Sequence, residues 1–413
     1  MDPEGNLQWF NELSSRGVKP GLDNIDRLLS LLGDPQKGLR CIHVAGTDGK
    51  GSVCAMLESV LMESGFVTGT FTSPQILKVN ECLRISGIDI EDRDLVRLIG
   101  TVRPHADEVE ATQFETLTAM AFSLFSMIGT DFCIIEVGMG GESDATNVIT
   151  PEVSVINRIG LEHTAFLGPT IRDIALQKAG IMKPGVPCVT INEGEALEAL
   201  REHSKKIGCE LVELDRDDVE IISLKPDSTS MTYGEDCFTV GMPGGFQAYN
   251  AALAVEALKR LPEYEERIVE HLPTGLESAN IPCRFQKVMG SPIILDVTHT
   301  ARGMEFLSKG VLEVYGKVTV VLGILSDKDV EGICREVSGM ADRVFITAPD
   351  SPRAMPAETL YGVMTRFHGD VTLCDSVGEA MGLAIDGTDG KGILVTGSFR
   401  TVEDALKWIQ RES

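Results

Sequence analysis

His43-Val-Ala-Gly-Thr-Asp-Gly-Lys-Gly-Ser52 lies between an apolar run, Cys41 to Ala45, and a segment in which Val53, Met56, Leu57, Val60 and Leu61 recur at helical spacing. A buried strand therefore gives way through glycines to a helix over Val53 to Ser64, with Gly65 placed to cap its C-terminus. Such a junction aims backbone N–H groups and the helix dipole at one point, and the glycines let an anion approach closely. In this reading the cradle is Gly46, Thr47, Asp48, Gly49, Lys50, Gly51 and Ser52. Lys50 reaches the outer phosphates of a nucleotide, and Thr47 or Ser52 offers a hydroxyl to phosphate or magnesium. The strict GxxxxGK[ST] form is not met. Val44 stands where its first glycine belongs, and Gly51 takes the hydroxyl position.

The chain carries its own control. Gly387-Thr-Asp-Gly-Lys-Gly392 repeats residues 46–51, but it follows a helical segment and precedes the strand-like Ile393 to Thr396. No helix begins there, so this copy is expected to be a plain helix-to-strand turn without an anion.

Outward from the first copy, strand-like runs alternate with helical ones: Val67 to Thr72, Phe114 to Ile128, Phe132 to Val137, Val153 to Ile156 and Pro187 to Ile191. Val219 to Val240 reads as a hairpin or meander around Tyr233 and Gly234, and Asn250 to Arg260 as an alanine-rich helix. After Pro282 five more strands follow, Ile293 to Asp296, Val318 to Gly323, Arg343 to Thr347, Val371 to Cys374 and Ile393 to Thr396, and a helix closes the chain. The expected fold is α/β. Residues 1–280 form an N-terminal P-loop ATPase domain with a mixed or parallel sheet, 281–291 a linker, and 292–413 a smaller Rossmann-like, doubly wound domain.

The 413 residues carry a net charge of −25, which argues against sequence-independent nucleic-acid binding and against a polybasic membrane role. Apolar runs fall short of the roughly 18 residues of a spanning helix, and Met1 to Phe10 has no signal-peptide pattern. The closest pair of the ten cysteines, Cys41 and Cys54, has no zinc-site spacing. A cytoplasmic protein is expected.

Several chemical residues end strands of the first domain. Glu136 closes an apolar run before Gly138-Met-Gly-Gly141, where a carboxylate can hold Mg²⁺ directly or through water. Ser73 and His163 follow two other strands, and Lys178 lies in a helical stretch. Each alone also fits an ordinary structural or surface residue.

Together these segments resemble the folylpolyglutamate synthase/dihydrofolate synthase family of Mur-type ATP-dependent amide ligases. The resemblance runs through Gly21 to Leu29, Leu32-Gly-Asp-Pro35, His43 to Ser52, Phe71-Thr-Ser-Pro74, Asn80-Glu81, Arg84-Ile85, Thr112-Gln-Phe-Glu-Thr116, Glu136 to Gly141, Asp144-Ala-Thr-Asn-Val148, Ile159 to Gly168 and Lys178 to Gly185. In the second half it touches Asp296 with His299, Asp327-Lys-Asp329, Ser351-Pro-Arg-Ala354 and Gly397-Ser398. It implies that ATP phosphorylates a carboxylate to an acyl phosphate, which the amine of L-glutamate then attacks. The acceptor would be a folate- or pterin-type carboxylate and the enzyme a monomer. It further implies that Lys50 and the loop amides hold the phosphates, that Ser73 and Glu136 bind one Mg²⁺, and that His163 binds a second. Lys178 would be carbamylated, and Gln247, Asn250, Arg284, Asp296 and His299 would contact ATP.

The chain departs from the family pattern in four places. Asp296-Val-Thr-His-Thr-Ala301 stands for the usual Asp-Gly-Ala-His-Asn-Pro, Phe246 for a histidine, Glu162 for an aspartate, and Glu142 for a basic or apolar residue. Two alternatives stay open: the same chemistry on another carboxylate and amine, or a nucleotide-binding regulatory protein that no longer ligates.

Overall fold

The computed structural model describes residues 3–19, 21–387 and 390–412. In the first part of the chain, β-branched and apolar runs form β1 (Cys41–Ala45), β2 (Thr68–Phe71), β3 (Leu83–Ile85), β4 (Ile88–Asp89), β5 (Phe132–Glu136), β6 (Val153–Ile156), β7 (Cys188–Thr190) and β8 (Leu211–Glu213). They make one sheet in the order β4-β3-β2-β5-β1-β6-β7-β8. From β2 to β8 every pairing is parallel, whereas β3 and β4 return antiparallel at one edge.

Helices cover both faces, as a parallel sheet requires. One core gathers Phe71, Phe122, Phe125 and Ile135 with the N-terminal Phe10, Ile25 and Leu28. The other gathers Ile156, Ile174, Ile181 and Leu200. Helix Gln113–Ile128 opens on a capping box in which Thr112 and Glu115 satisfy each other's backbone amides, and it ends at the left-handed Gly129. Helix Leu272–Ser278 lies against helix Lys50–Glu63 so closely that a Cβ on Gly275 would meet the Val60 backbone at 2.5 Å.

The chain divides into two compact units, residues 1–219 with 249–279, and residues 220–248 with 280–413. This departs from a single cut at 280. The meander of β9 (Val219–Lys225), β10 (Ser228–Tyr233) and β11 (Asp236–Val240) groups with the C-terminal part. There the Tyr315 hydroxyl donates to the Pro226 carbonyl at 3.3 Å, and Gly310 leaves room for Phe285 and Gly244. Residues 281–291 are not a plain linker either: β12 (Gln286–Lys287) forms there and pairs antiparallel with β13 (Ile293–Leu295).

β14 (Val318–Leu322), β15 (Ala341–Ile346), β16 (Val371–Leu373) and β17 (Ile393–Thr396) complete a six-stranded sheet in the order β12-β13-β17-β14-β15-β16. Apart from β12 it is parallel, with helices between successive strands, which is the doubly wound arrangement expected. Among the described residues no helix is long and apolar enough to cross a membrane.

Candidate active site

β1 is central in its sheet and fully buried, with β5 on one side and β6 on the other. Ligands of such sheets gather beyond the carboxyl ends of the strands. Four of these ends carry the candidate residues: β1 leads into residues 46–52, β2 into Ser73, β5 ends at Glu136, and β6 leads into Asn157 to Gly168.

Gly46 (φ 147°) and Gly49 (φ 77°) turn the loop, and helix Lys50–Glu63 starts on Gly49. Its first internal bond runs from the Val53 amide to the Gly49 carbonyl. The amides of Lys50, Gly51 and Ser52 precede any intrahelical acceptor, which is the geometry that binds anions. Asn157 supports the loop from below. Its amide nitrogen donates to Asn250 Oδ1 at 2.8 Å, and these two side chains occupy the space a Cβ on Gly49 would need. Asn157 Cβ does the same under Gly46 at 2.9 Å. Asn250 thus meets the loop, and so does Asn157, which escaped sequence reading because an asparagine after a strand looks like any turn residue.

The loop hydroxyls separate. Thr47 donates to the Gly160 carbonyl at 3.1 Å and accepts from the Gly160 amide at 3.0 Å, while its own amide donates to Arg158. Thr47 therefore ties the phosphate loop to the segment after β6, which leaves Ser52 as the better placed hydroxyl. Lys50 Nζ folds back onto the Gly46 carbonyl at 3.0 Å.

Lys178 reaches that same carbonyl at 2.9 Å and pairs with Glu162 at 2.6 Å. Only 1% of Lys178 is exposed. Burial pulls its ammonium down to about 8, Lys50 adds to this, and Glu162 opposes it. Burial works to raise Glu162, but Lys50, Lys178 and His163 outweigh it and hold the carboxyl below its ordinary range. This pairing gives Glu162 a role that its place in the sequence had suggested only as a departure. His163 is exposed, adopts the left-handed φ of 46° and starts the short helix Thr164–Leu167.

Glu136 is buried at the end of β5, and its Oε2 accepts the Ser73 amide at 3.1 Å, so the structure brings this pair together. Behind it, buried Asp144 accepts from the Met139 and Thr146 amides and from the Thr146 hydroxyl at 2.6 Å. Thr146 is also bonded to His43 Nε2 at 2.9 Å, and burial pushes His43 down to about 3, so the ring is neutral. This chain of bonds fixes the glycine turn after Glu136 to the strand that carries the phosphate loop.

Among the described residues no three His, Cys, Asp or Glu side chains gather as metal ligands. The donor set here, a carboxylate beside a serine near the loop of residues 46–52, suits a hard cation that keeps water and phosphate oxygens as its remaining ligands.

Gln247 is buried at the start of helix Phe246–Leu258, its side-chain amide facing Met242 Sδ, and Asn250 lies on the same helix. In the second unit, Arg284 lies 5.3 Å from the Phe399 ring centre, and the His299 ring 5.6 Å from the same ring. Asp296 is buried and accepts the Phe285 and Thr298 amides at 2.8 Å each. Burial raises its carboxyl despite these bonds and the nearby Arg284.

The altered segment here proves structurally conservative. Thr300 caps helix Ala301–Tyr315 by accepting the Gly303 amide at 3.0 Å, with Ala301 as the first helical residue. Asn-Pro in the same register would do the same two jobs. The repeated motif at 387–392 lies between helix Val377–Asp386 and β17, with Lys391 paired to Asp342; its Thr388 and Asp389 fall outside the described residues.

Residues 44–258 match the Mur ligase middle domain, and residues 283–399 the Mur ligase glutamate ligase domain. The chain is 35% identical over 373 residues to the dihydrofolate synthase/folylpolyglutamate synthase of Bacillus subtilis, covering 86% of each. It is 30% identical over 412 residues to that of Escherichia coli, covering 98% of this chain and 94% of the relative. Among solved structures, Mycobacterium tuberculosis folylpolyglutamate synthase complexed with ADP superposes with a TM-score of 0.90 at 27% identity over 98% of each chain. Escherichia coli FolC in complex with DHPP and ADP gives 0.87 at 30% identity over 99% of this chain and 98% of that one.

Proposed function

The chain belongs to the folylpolyglutamate synthase/dihydrofolate synthase family of Mur ligases, and from that premise we propose how its own residues perform ATP-dependent addition of L-glutamate to a folate- or pteroate-type carboxylate. The observation that carries the reading is the phosphate loop on the central strand, with Ser73–Glu136 and Lys178–Glu162 within the same carboxyl-end cluster.

The amides of residues 50–52 and Lys50 take the β- and γ-phosphates, Lys50 exchanging the Gly46 carbonyl for a phosphate oxygen. Glu136 and Ser73 would hold one Mg²⁺ and His163 a second; such ions neutralise phosphate charge as the γ-phosphoryl passes to the substrate carboxylate. The resulting acyl phosphate is attacked by the glutamate amine, and phosphate leaves. Gln247, Arg284, Asp296 and His299 are assigned to ATP.

The environment of Lys178 alters its chemistry. Burial favours the neutral amine, the form that adds CO₂. A carbamate there would replace the Lys178–Glu162 ion pair by two acidic groups beside Lys50, an arrangement that attracts a divalent cation. The protein acts as a cytoplasmic monomer without nucleic-acid or membrane partners.

The test supplies ATP, Mg²⁺ and L-glutamate with a panel of pterin and non-pterin carboxylates, read by mass spectrometry. Glutamyl adducts of a pterin are expected. Adducts only with other carboxylates, or neither adduct nor ADP with any pair, would overturn the assignment.

A further inference from the structure

Arg84, on the edge-side strand β3, makes contacts that the reaction described above does not use. Its guanidinium donates twice to Glu58 Oε2, from Nε at 3.1 Å and from Nη2 at 2.9 Å. Glu58 belongs to the phosphate-loop helix, and its other oxygen accepts the Gly87 amide at 3.2 Å. The remaining arm of Arg84, Nη1, donates to the Thr72 hydroxyl at 3.3 Å and to the Glu81 carbonyl at 3.5 Å. Both partners of the ion pair are largely buried, with side-chain exposures of 16% and 7%.

The segment that Arg84 grips is itself ordered from within. The Glu81 carboxylate accepts the amides of Ile76, Leu77 and Lys78 at 2.6, 2.9 and 2.9 Å. At the other end, the Thr72 amide donates to Cys82, and the Ser73 amide donates to Glu136. Residues 72–82 thus form a closed loop whose first residues touch Glu136. Arg84 is the group that bonds this loop to the helix carrying Lys50. A planar fork with several fixed donors suits that task, whereas a lysine has one flexible point of contact.

We propose that Arg84 is a positioning residue: through Glu58 and Thr72 it fixes Ser73 and Glu136 relative to the phosphate loop, so that a divalent cation and the nucleotide phosphates are met together. This rests on the assignment of Ser73 and Glu136 to that cation. Arg84 touches no nucleotide-binding group of the loop, so its loss should weaken cation-dependent binding and spare cation-free binding.

The experiment uses the full chain, with Mn²⁺ as a paramagnetic probe. Mn²⁺ affinity in the presence of ADP is measured by electron paramagnetic resonance, and ADP affinity in EDTA by calorimetry. Arg84→Lys is expected to weaken Mn²⁺ binding by about 10- to 100-fold, the range for losing a group that orients metal ligands, with ADP affinity in EDTA within about twofold of the parent. Thr72→Val, which leaves the buried ion pair intact, should shift Mn²⁺ affinity in the same sense and keeps the test valid if Arg84→Lys does not fold. Unchanged Mn²⁺ affinity in the folded variants, or equal losses in both measurements, would overturn the inference alone. A parent protein that binds ADP but no Mn²⁺ would remove the cation assignment and this inference with it.

Discussion

Replacing Gly49 by alanine tests the support beneath the phosphate loop. Gly49 has φ 77°, where a Cβ costs about 1–2 kcal/mol from backbone sterics alone. The new methyl would also lie against the Asn157 amide nitrogen and Asn250 Oδ1, the two atoms bonded to each other at 2.8 Å. Separating that buried pair adds about 1–3 kcal/mol. Together the two effects destabilise the loop by about 2–5 kcal/mol. Gly208 provides the control, because it has φ 75° at the end of helix Gly194–Ile207 and nothing within 4 Å of its Cβ position. Alanine there should cost only the backbone part, about 1–2 kcal/mol. Hydrogen exchange of the amides in helix Lys50–Glu63, followed as urea is raised, measures the difference, and calorimetry measures ADP binding. Gly49→Ala should lose ADP affinity and Gly208→Ala should keep it. Equal destabilisation by the two changes, with ADP binding intact in both, would refute the idea that Asn157 and Asn250 support the loop.

Lys50→Ala should abolish turnover, whereas Lys391→Ala, which removes a surface pair with Asp342, should leave turnover intact and shift stability by less than about 1 kcal/mol; equal loss of activity would show that motif identity outweighs context. Lys178→Ala should lose activity that short carboxylic acids partly restore. Because only the neutral amine adds CO₂ and burial sets the Lys178 ammonium at about 8, the carbamate signal in ¹³C NMR should grow as pH rises through about 8 at fixed dissolved CO₂; a signal that persists in Lys178→Ala would exclude this lysine. In the second unit, Thr300→Ala should cost about 0.5–2 kcal/mol through loss of the helix cap, while Thr300→Asn with Ala301→Pro should cost nothing in urea unfolding. Destabilisation by the double change would mean that Thr300 does more than cap.

The sequence was most legible where one local rule acted alone. Val153 to Ile156 and Ile393 to Thr396 form strands with those same ends, because each is a short, fully buried, β-branched-rich run between polar or glycine residues. The helix begins at Lys50, three residues before its apolar pattern, since its first turn, Lys50-Gly-Ser52, carries no apolar side chain for a periodicity to register. β3, β4, β8 and β12 were missed: they are two or three residues long and sit towards sheet edges, where long-range pairing decides and no local pattern survives. At the site, residues with distinctive chemistry such as Lys50 and Glu136 were readable. Asn157 was not, and Glu162 and Arg84 entered only through the family pattern without a role, because all three act by holding other groups that lie elsewhere in the sequence. The grouping of residues 220–248 with the C-terminal part was invisible for the same reason.

That grouping bears on the order in which the protein can be built. A nascent chain that has reached residue 219 already contains all eight strands of the first sheet, with the phosphate loop, Glu136 and Lys178. It still lacks Asn250 and the helix that packs through Gly275 against Val60. The ribosome next delivers residues 220–248, which belong to the other unit, and only then residues 249–279. The first unit therefore cannot close its core until material for the second has emerged, which leaves the apolar back of the phosphate-loop helix uncovered in the interval. A fragment ending at 219 should accordingly be prone to aggregation, despite carrying nearly all of the residues of its unit that are proposed to bind the nucleotide.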